Sequence, residues 1–279
     1  GYIYKYSSGS WNVQSINFGD GAYRNFINIA SGDSPKTGWS VSINDAGTRI
    51  SIGTPDQRSH SHYAGLGYVY EFNPSSGSSG RWYRKFGKSN QIHSSFFGKS
   101  TSMSGDGTTV AFASPGASAR LNIYNVNTGE SLGDYITVNS GGHSVALNYD
   151  GTILAFGNYT DDTDNGTDSG KVAVYQYDTT AGSWSQIGSD ILGGAAGDYF
   201  GYSVSLSNDG TLLAVGATNY DSNRGQVKIY SYSSGSWSQV GSEINGEATS
   251  NKSGTSVALN SDGTKVFIGA HLNNNVGHV

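Results

Sequence analysis

The residues best placed to do chemistry in this chain sit in one loop, NYTDDTDNGTDSG, where Asp162, Asp164 and Asp168 alternate with small polar residues. Carboxylates spaced along a loop supply the oxygen ligands that a hard cation such as calcium takes, so this loop is the candidate metal site. His60-Ser61-His62 sets two imidazoles on one side of an extended segment, but no third ligand lies nearby and the pair reads as part of a polar loop. Three sequons occur, at Asn158, Asn165 and Asn251. In a chain this rich in Asn, Ser and Thr, sequons arise by chance. All three fall in expected loops, where N-linked glycans would be carried on a secretory product. There is no cysteine, no Ser-His-Asp order and no phosphate-cradling glycine loop. The expectation is therefore no catalytic residues and no required cofactor, with calcium and glycans as the candidate additions.

The elements that must position these residues are written five times over. GWSVSINDAGT, FGKSTSMSGDGT, GGHSVALNYDGT, FGYSVSLSNDGT and SGTSVALNSDGT surround Ser40, Ser100, Ser144, Ser203 and Ser256, at spacings of 60, 44, 59 and 53 residues. Self-similarity at such a period marks a repeat architecture. In the fourth copy Tyr202, Val204 and Leu206 share one face and Ser203, Ser205 and Ser207 the other, the period of two of a strand. The Asp-Gly pair that follows is a tight hairpin signal, expected to need positive φ at both central positions. Leu212 to Val215 then read as a strand covered on both sides. Tyr70, Tyr124, Tyr175, Tyr230 and Tyr4 recur in the third strand and Trp82, Trp184, Trp237 and Trp11 after it, which reads as packing.

The fifth copy is split between the ends. Tyr2-Ile3-Tyr4-Lys5-Tyr6, SSGS and Trp11 match Lys228 to Trp237 of the fourth copy, while the fifth breaks off at Gly277-His278-Val279, where the third strand would begin. Tyr2, Ile3, Tyr4, Tyr6, Trp11 and Val279 are thus the candidate closure or assembly seam. A circular array closed in this way leaves no unpaired strand edge. The expected fold is all-β: a five-bladed propeller of about four antiparallel strands per blade, the last blade closed by strands from both termini. It is one domain over residues 1–279, with repeats near 38–96, 97–141, 142–199, 200–252, and 253–279 plus 1–37. About ten extra residues near Asn17 to Phe26 read as an insertion in a loop or on the rim.

Composition agrees. Apolar residues make up 35% and charged residues 13%, and glycine occurs 41 times and tyrosine 19, the balance of short strands and turns. Net charge is −5, with no basic cluster, which argues against nucleic acid. No apolar stretch approaches the roughly 18 residues of a membrane helix. The absence of an initiator Met and of a signal-like segment before Gly1 suggests a mature or excised portion of a longer product.

FGYSVSLSNDGTLLAVGATNYDSNRGQVKIYSYSSGSWSQVGSEINGEA resembles the FG-GAP class of propeller repeat found in integrin α-subunit heads. The likeness spans the chain and is weakest in the second copy. It implies an extracellular β-propeller that binds another macromolecule and does not imply catalysis. The integrin-type calcium loop carries several carboxylates, whereas the turns of this chain hold a single Asp each, too few to encircle the ion. Three classes of function follow. The first is a structural or adhesive module binding other proteins or copies of itself, including as the repeating subunit of a glycosylated surface filament. The second is a lectin that uses the abundant aromatic, Asn and Asp side chains on glycans. The third and least supported is a glycosidase, which needs two carboxylates about 5 to 9 Å apart that the inner-strand motifs do not supply.

Overall fold

A computed structural model describes residues 4–7, 10–13, 16–17, 23–24, 38–56, 58–59, 62–76, 81–89, 95–116, 119–138, 144–272 and 277. Each full copy of the repeat forms a four-stranded antiparallel sheet in simple sequential order. The first sheet is Ser40–Ile43, Arg49–Thr54, Leu66–Asn73 and Arg81–Lys88. The second is Ser100–Met103, Thr109–Ser114, Arg120–Asn125 and Ile136–Thr137. The third is Ser144–Leu147, Ile153–Asn158, Lys171–Asp178 and Ser183–Gln186, with Ile191–Leu192 added alongside its third strand. The fourth is Phe200–Leu206, Leu212–Ala217, Gln226–Ser233 and Ser236–Asn245. A fifth unit pairs Ser253–Leu259 with Val266–Ala270.

The Asp-Gly turns differ from expectation. Gly151, Gly210 and Gly263 have φ of 72°, 72° and 69°, but the aspartates before them are not left-handed. A longer hairpin turn that ends on a left-handed glycine needs only one such residue. The Asp side chain then fastens both strands to the turn. Asp209 Oδ1 accepts from Thr211 N at 3.0 Å and from Ser207 Oγ at 2.6 Å.

Between sheets one set of contacts recurs. The motif serine donates to the Gly-x-Ser glycine carbonyl of the next sheet: Ser40 to Gly98 at 2.9 Å, Ser144 to Gly201 at 2.9 Å, Ser203 to Gly254 at 2.8 Å. The hairpin turns follow suit, with Asp45 N to Gly105 O, Tyr149 N to Asn208 O and Asn208 N to Ser261 O, all 2.9 to 3.0 Å. Gly65, Gly170 and Gly225 bridge to Phe97, Phe200 and Ser253 of the following sheet. Each interface encloses an apolar layer: Val204, Leu206, Leu213 and Val215 of the fourth sheet meet Ala146, Ala155 and Val174 of the third. Val145 and Leu147 meet Ala111 and Ala113 of the second in the same way. The apolar-in alternation of the inner strand is what forces this stacking, since each sheet has two faces to bury. Trp184 and Trp237 reach back across the same interfaces, donating Nε1 to Leu132 O and Ile187 O.

The two ends of the chain differ from the expected closed blade. Tyr4–Ser7 and Ser10–Val13 pair as a hairpin, Tyr6 opposite Trp11, in the register of Tyr232 and Trp237. That hairpin is its own two-stranded sheet, and no pairing joins it to Val266–Ala270 among the described residues. Tyr2, Ile3 and Val279 of the expected seam lie outside the described residues. The insertion near Asn17 is not a bare loop: Ile16–Asn17 runs parallel to Trp82 and Tyr83 and pairs with Tyr23–Arg24, extending the first sheet outward.

Candidate functional site at the loop-bearing end

In a sequential antiparallel sheet, the first-to-second and third-to-fourth hairpins lie at one end. The second-to-third connections and the passages to the next sheet lie at the other. Among the described residues, the loop-bearing end therefore collects 55–56, 58–59, 62–65, 159–170 and 218–225 together with 89, 95–99, 187–199 and 246–252. Of the candidates for chemistry read from the sequence, Asn158, Asp162, Asp164, Asn165, Asp168, Asn251 and His62 fall in or beside these stretches.

The structure sorts those candidates. Asn158 is 1% exposed and its Nδ2 donates to Asp161 Oδ2 at 3.0 Å. Asn251 is 5% exposed. A buried amide leaves little room for a glycan on the folded chain. Asn165 is exposed at the loop tip, with Nδ2 turned to Gly193 O at 2.6 Å.

Asp162, Asp164 and Asp168 do not form a cage. Asp162 Oδ1 accepts from the Asp168 backbone N at 2.9 Å, which closes the loop on itself. Among the described residues, no three His, Asp or Glu side chains converge to hold an ion. The loop is held instead by Thr163 Oγ1 and Ser169 Oγ at 2.6 Å, and by Gly197 N to Thr167 O and Tyr199 N to Asp168 O from the neighbouring passage. Beneath it Lys171 bridges Asp190 at 3.2 Å and Asp161 at 3.4 Å. Burial works against the Lys171 charge, yet Asp190 and then Asp161 outweigh it and hold the pKa above its ordinary value. His60 lies outside the described residues, and His62 belongs to the short strand His62–Tyr63.

Sequence reasoning passes over the variable residue of Gly-x-Ser. The flanking glycine and serine are fixed by the inter-sheet contact, so x opens each inner strand at the loop-bearing end with its identity unconstrained. It is Trp39, Lys99, Tyr202 and Thr255 in the four described copies. Trp39 is 49% exposed, and Lys99 Nζ stands 3.9 Å above its ring, a cation–π contact between adjacent sheets. Tyr202 packs on Tyr159 with centroids 4.9 Å apart, and Tyr199 packs on the same ring at 5.0 Å. Burial raises the Tyr159 pKa, with Tyr202, Tyr199 and Asp168 adding to the rise, so this phenol stays neutral and a hydrogen-bond donor. Tyr199 itself is left-handed, at φ 58°. Thr255 Oγ1 meets His271 Nδ1 at 2.9 Å. A constant scaffold thus carries a different side chain in each sector, which is how a repeat array presents a specific surface. By contrast Tyr70, Tyr124 and Tyr230 are buried, and burial pushes Tyr124 and Tyr230 up to about 12.

An open depression of about 400 Å³ on the outer part of the first sheet is lined by Glu71, Tyr83, Arg84 and Lys85. Its one carboxylate is engaged: Glu71 receives Lys85 at 2.9 Å and, from outside the lining, Arg49 at 2.7 Å. Burial alone would raise the Glu71 pKa; the hydrogen bonds from Lys85 and Arg49 outweigh it and bring the carboxyl below its usual range.

Comparison with known proteins agrees with this geometry. Residues 192–230, from the end of the third sheet through most of the fourth, match the FG-GAP repeat family. No curated protein matches the chain. Among solved structures, hydrazine synthase of Kuenenia stuttgartiensis superposes with a TM-score of 0.55 at 13% identity, over 85% of this chain and 71% of that one. At that identity the likeness is one of fold. No helix among the described residues is long and apolar enough to cross a membrane. The chain carries an FG-GAP repeat on an all-β, propeller-like array of four-stranded antiparallel sheets.

Proposed function

We propose that this protein is a non-enzymatic, extracellular binding module of the FG-GAP propeller kind, whose loop-bearing end recognises other proteins. The observation that carries the reading is the Gly-x-Ser position: invariant neighbours lock the sheets together, and Trp39, Lys99 and Tyr202 stand at the rim of the same end. Exposed aromatic and cationic groups on a rigid frame are the usual anchors of a protein interface. The five-sector count is part of this proposal. It rests on the hairpin Tyr4–Val13, whose register repeats that of Tyr230 to Gln239 and which has the two-strand form that the fifth unit lacks at its outer side. A role as the repeating subunit of a surface filament belongs to the same reading.

A binding screen of the purified protein against a panel of extracellular proteins, repeated with W39A, K99A and Y202A combined, puts this to the test. Saturable binding that the triple variant loses, at unchanged thermal stability, is the expected result. Binding that survives the triple variant, or turnover of a glycoside by the wild type, contradicts it. A second reading, glycan recognition, is favoured by one observation, the Tyr159, Tyr199 and Tyr202 cluster beside Asp168. A glycan array with a Y159A control separates the two.

A further inference from the structure

Where one sheet meets the next at the loop-bearing end, two positions of the repeat are free to vary. One is the x of Gly-x-Ser. The other is the residue two before that glycine, which is left-handed in three described copies: Phe96, Tyr199 and Lys252, at φ 53°, 58° and 53°. At two of these seams the chain puts a lysine of its own in one of the two places. Lys99, an x residue, holds Nζ 3.9 Å above the Trp39 ring between the first and second sheets. Lys252, a left-handed residue, donates Nζ to Asn219 Oδ1 at 2.9 Å between the fourth sheet and the fifth unit. Between the third and fourth sheets both places hold tyrosine, and Tyr199 and Tyr202 pack on Tyr159 at 5.0 and 4.9 Å.

Charge divides the seams in the same way. Residues 159–170 and 187–199, which meet between the third and fourth sheets, include Asp161, Asp162, Asp164, Asp168, Asp190 and Asp198 and no Lys or Arg. Lys171 beneath them answers Asp190 and Asp161, and Asp198 Oδ2 accepts from the Ala195 N–H at 3.0 Å. Among the described residues no cation pairs with Asp162, Asp164 or Asp168. At the next seam the stretches 218–225 and 246–252 are balanced, Asp221 and Glu247 against Arg224 and Lys252. The tyrosine seam therefore combines ring faces with an unanswered negative field, and both attract a cation.

Resting on the protein-binding reading above and naming its partner's chemistry, we propose that the Tyr159, Tyr199 and Tyr202 cluster is an anchor site for a lysine-bearing segment of another protein. The partner's ammonium sits on the outer face of a tyrosine ring, beside the carboxylates of the 159–170 loop. It supplies from outside the cation that Lys99 and Lys252 supply from within the chain at the other two seams. The rings are already in contact with one another, so the ligand takes an outer face and does not slot between them. An uncharged glycan could use the same ring face but would gain nothing from the carboxylates as charges, and that difference decides between the two ligands.

Fluorescence anisotropy of labelled hexalysine tests this at an ionic strength of about 0.15 M, where the Debye length is about 8 Å and distant charges are screened. The protein is expected to bind the peptide saturably and to ignore its fully acetylated form. Y202A is expected to weaken binding about five- to tenfold, and Y202F, which keeps the ring, less than about twofold. Y202K gives this seam the lysine that Lys99 provides in the second sheet and is expected to abolish binding. D164N, at an exposed loop position, is expected to weaken it about two- to threefold, and E130Q, in the hairpin at the opposite end of the second sheet, to leave it unchanged. Circular-dichroism melts check that each variant folds, and Y202F and D164N carry the test if Y202A does not. Equal binding of the acetylated peptide overturns the proposal. So does an E130Q loss equal to that of D164N with Y202A unaffected, which is diffuse attraction only, and so does a glycan signal that Y202A removes in a protein that ignores hexalysine. A protein partner found in the binding screen while hexalysine fails sinks this proposal alone; hexalysine binding with no protein partner sinks the broader reading.

Discussion

Gly216→Ala places a methyl group where two sheets meet. The added Cβ overlaps the Gly254 carbonyl oxygen, lies 3.0 Å from its carbon and sits 2.5 Å from Ser203 Oγ, which is already committed to that carbonyl. Neither obstacle is the free end of a side chain, so the sheets must part. Overpacking of this kind costs about 1–3 kcal/mol. Alanine recovers roughly 0.5–1 kcal/mol by restricting the unfolded chain. With a backbone obstacle the upper part of the range applies, and the net loss is about 2 kcal/mol. For a chain of this size that lowers Tm by roughly 4–8 °C. Gly157→Ala, crowded by Gly201 O in the same way, is expected to behave alike. Gly269→Ala is the control: it meets only the rotatable Ser256 side chain, so in dilute protein its Tm shift is expected within about 1 °C. The assay is differential scanning calorimetry of the three variants at one low concentration. If Gly269→Ala falls as far as Gly216→Ala, or Gly216→Ala does not fall, the inter-sheet rule is wrong.

Other consequences are smaller. Ser203→Ala removes the 2.8 Å bond to Gly254 O and is expected to cost about 1 kcal/mol by urea denaturation, while Ser256→Ala costs nothing measurable in the single chain. Asp209 is held below the ordinary carboxylate range by Ser207 Oγ and the Thr211 N–H. A depressed folded-state pKa stabilises above the unfolded value of about 3.9 and is lost as pH falls through the folded one, so the stability gap between wild type and Asp209→Ala is expected near neutrality and to close below about pH 4. Expressed through a eukaryotic secretory route, the folded chain is expected to carry glycan at Asn165 and none at Asn158 or Asn251; glycopeptide mapping reads this directly.

Much of the array is legible in the sequence because its constraints are local. Alternation along Tyr202 to Ser207 and the Asp-Gly turn depend on residues within a few positions, and both appear where expected. The turn type is not legible in the same way, because Asp-Gly fits both a two-residue turn and one closed by a glycine bulge, and the choice lies in the Ser207 and Thr211 bonds. Nor is the burial of Asn158 and Asn251: a sequon spans three residues, while exposure is decided by how the loops at that end fold against one another. The same holds for Asp162, Asp164 and Asp168, whose spacing suits a cation only if the loop turns all three inward. The hairpin Tyr4–Val13 is readable from its likeness to the fourth copy. The pairing of Ile16–Asn17 with the first sheet is not, since no other copy has that segment.

An electron-density map of the purified, crystallised protein tests the central claim most directly. The account requires sheets that follow one another with Ser40, Ser144 and Ser203 each bonded to the next Gly-x-Ser carbonyl, and a fifth unit completed by the hairpin Tyr4–Val13. A map in which consecutive sheets are not face to face, or in which the hairpin Tyr4–Val13 lies away from the fifth unit, contradicts it.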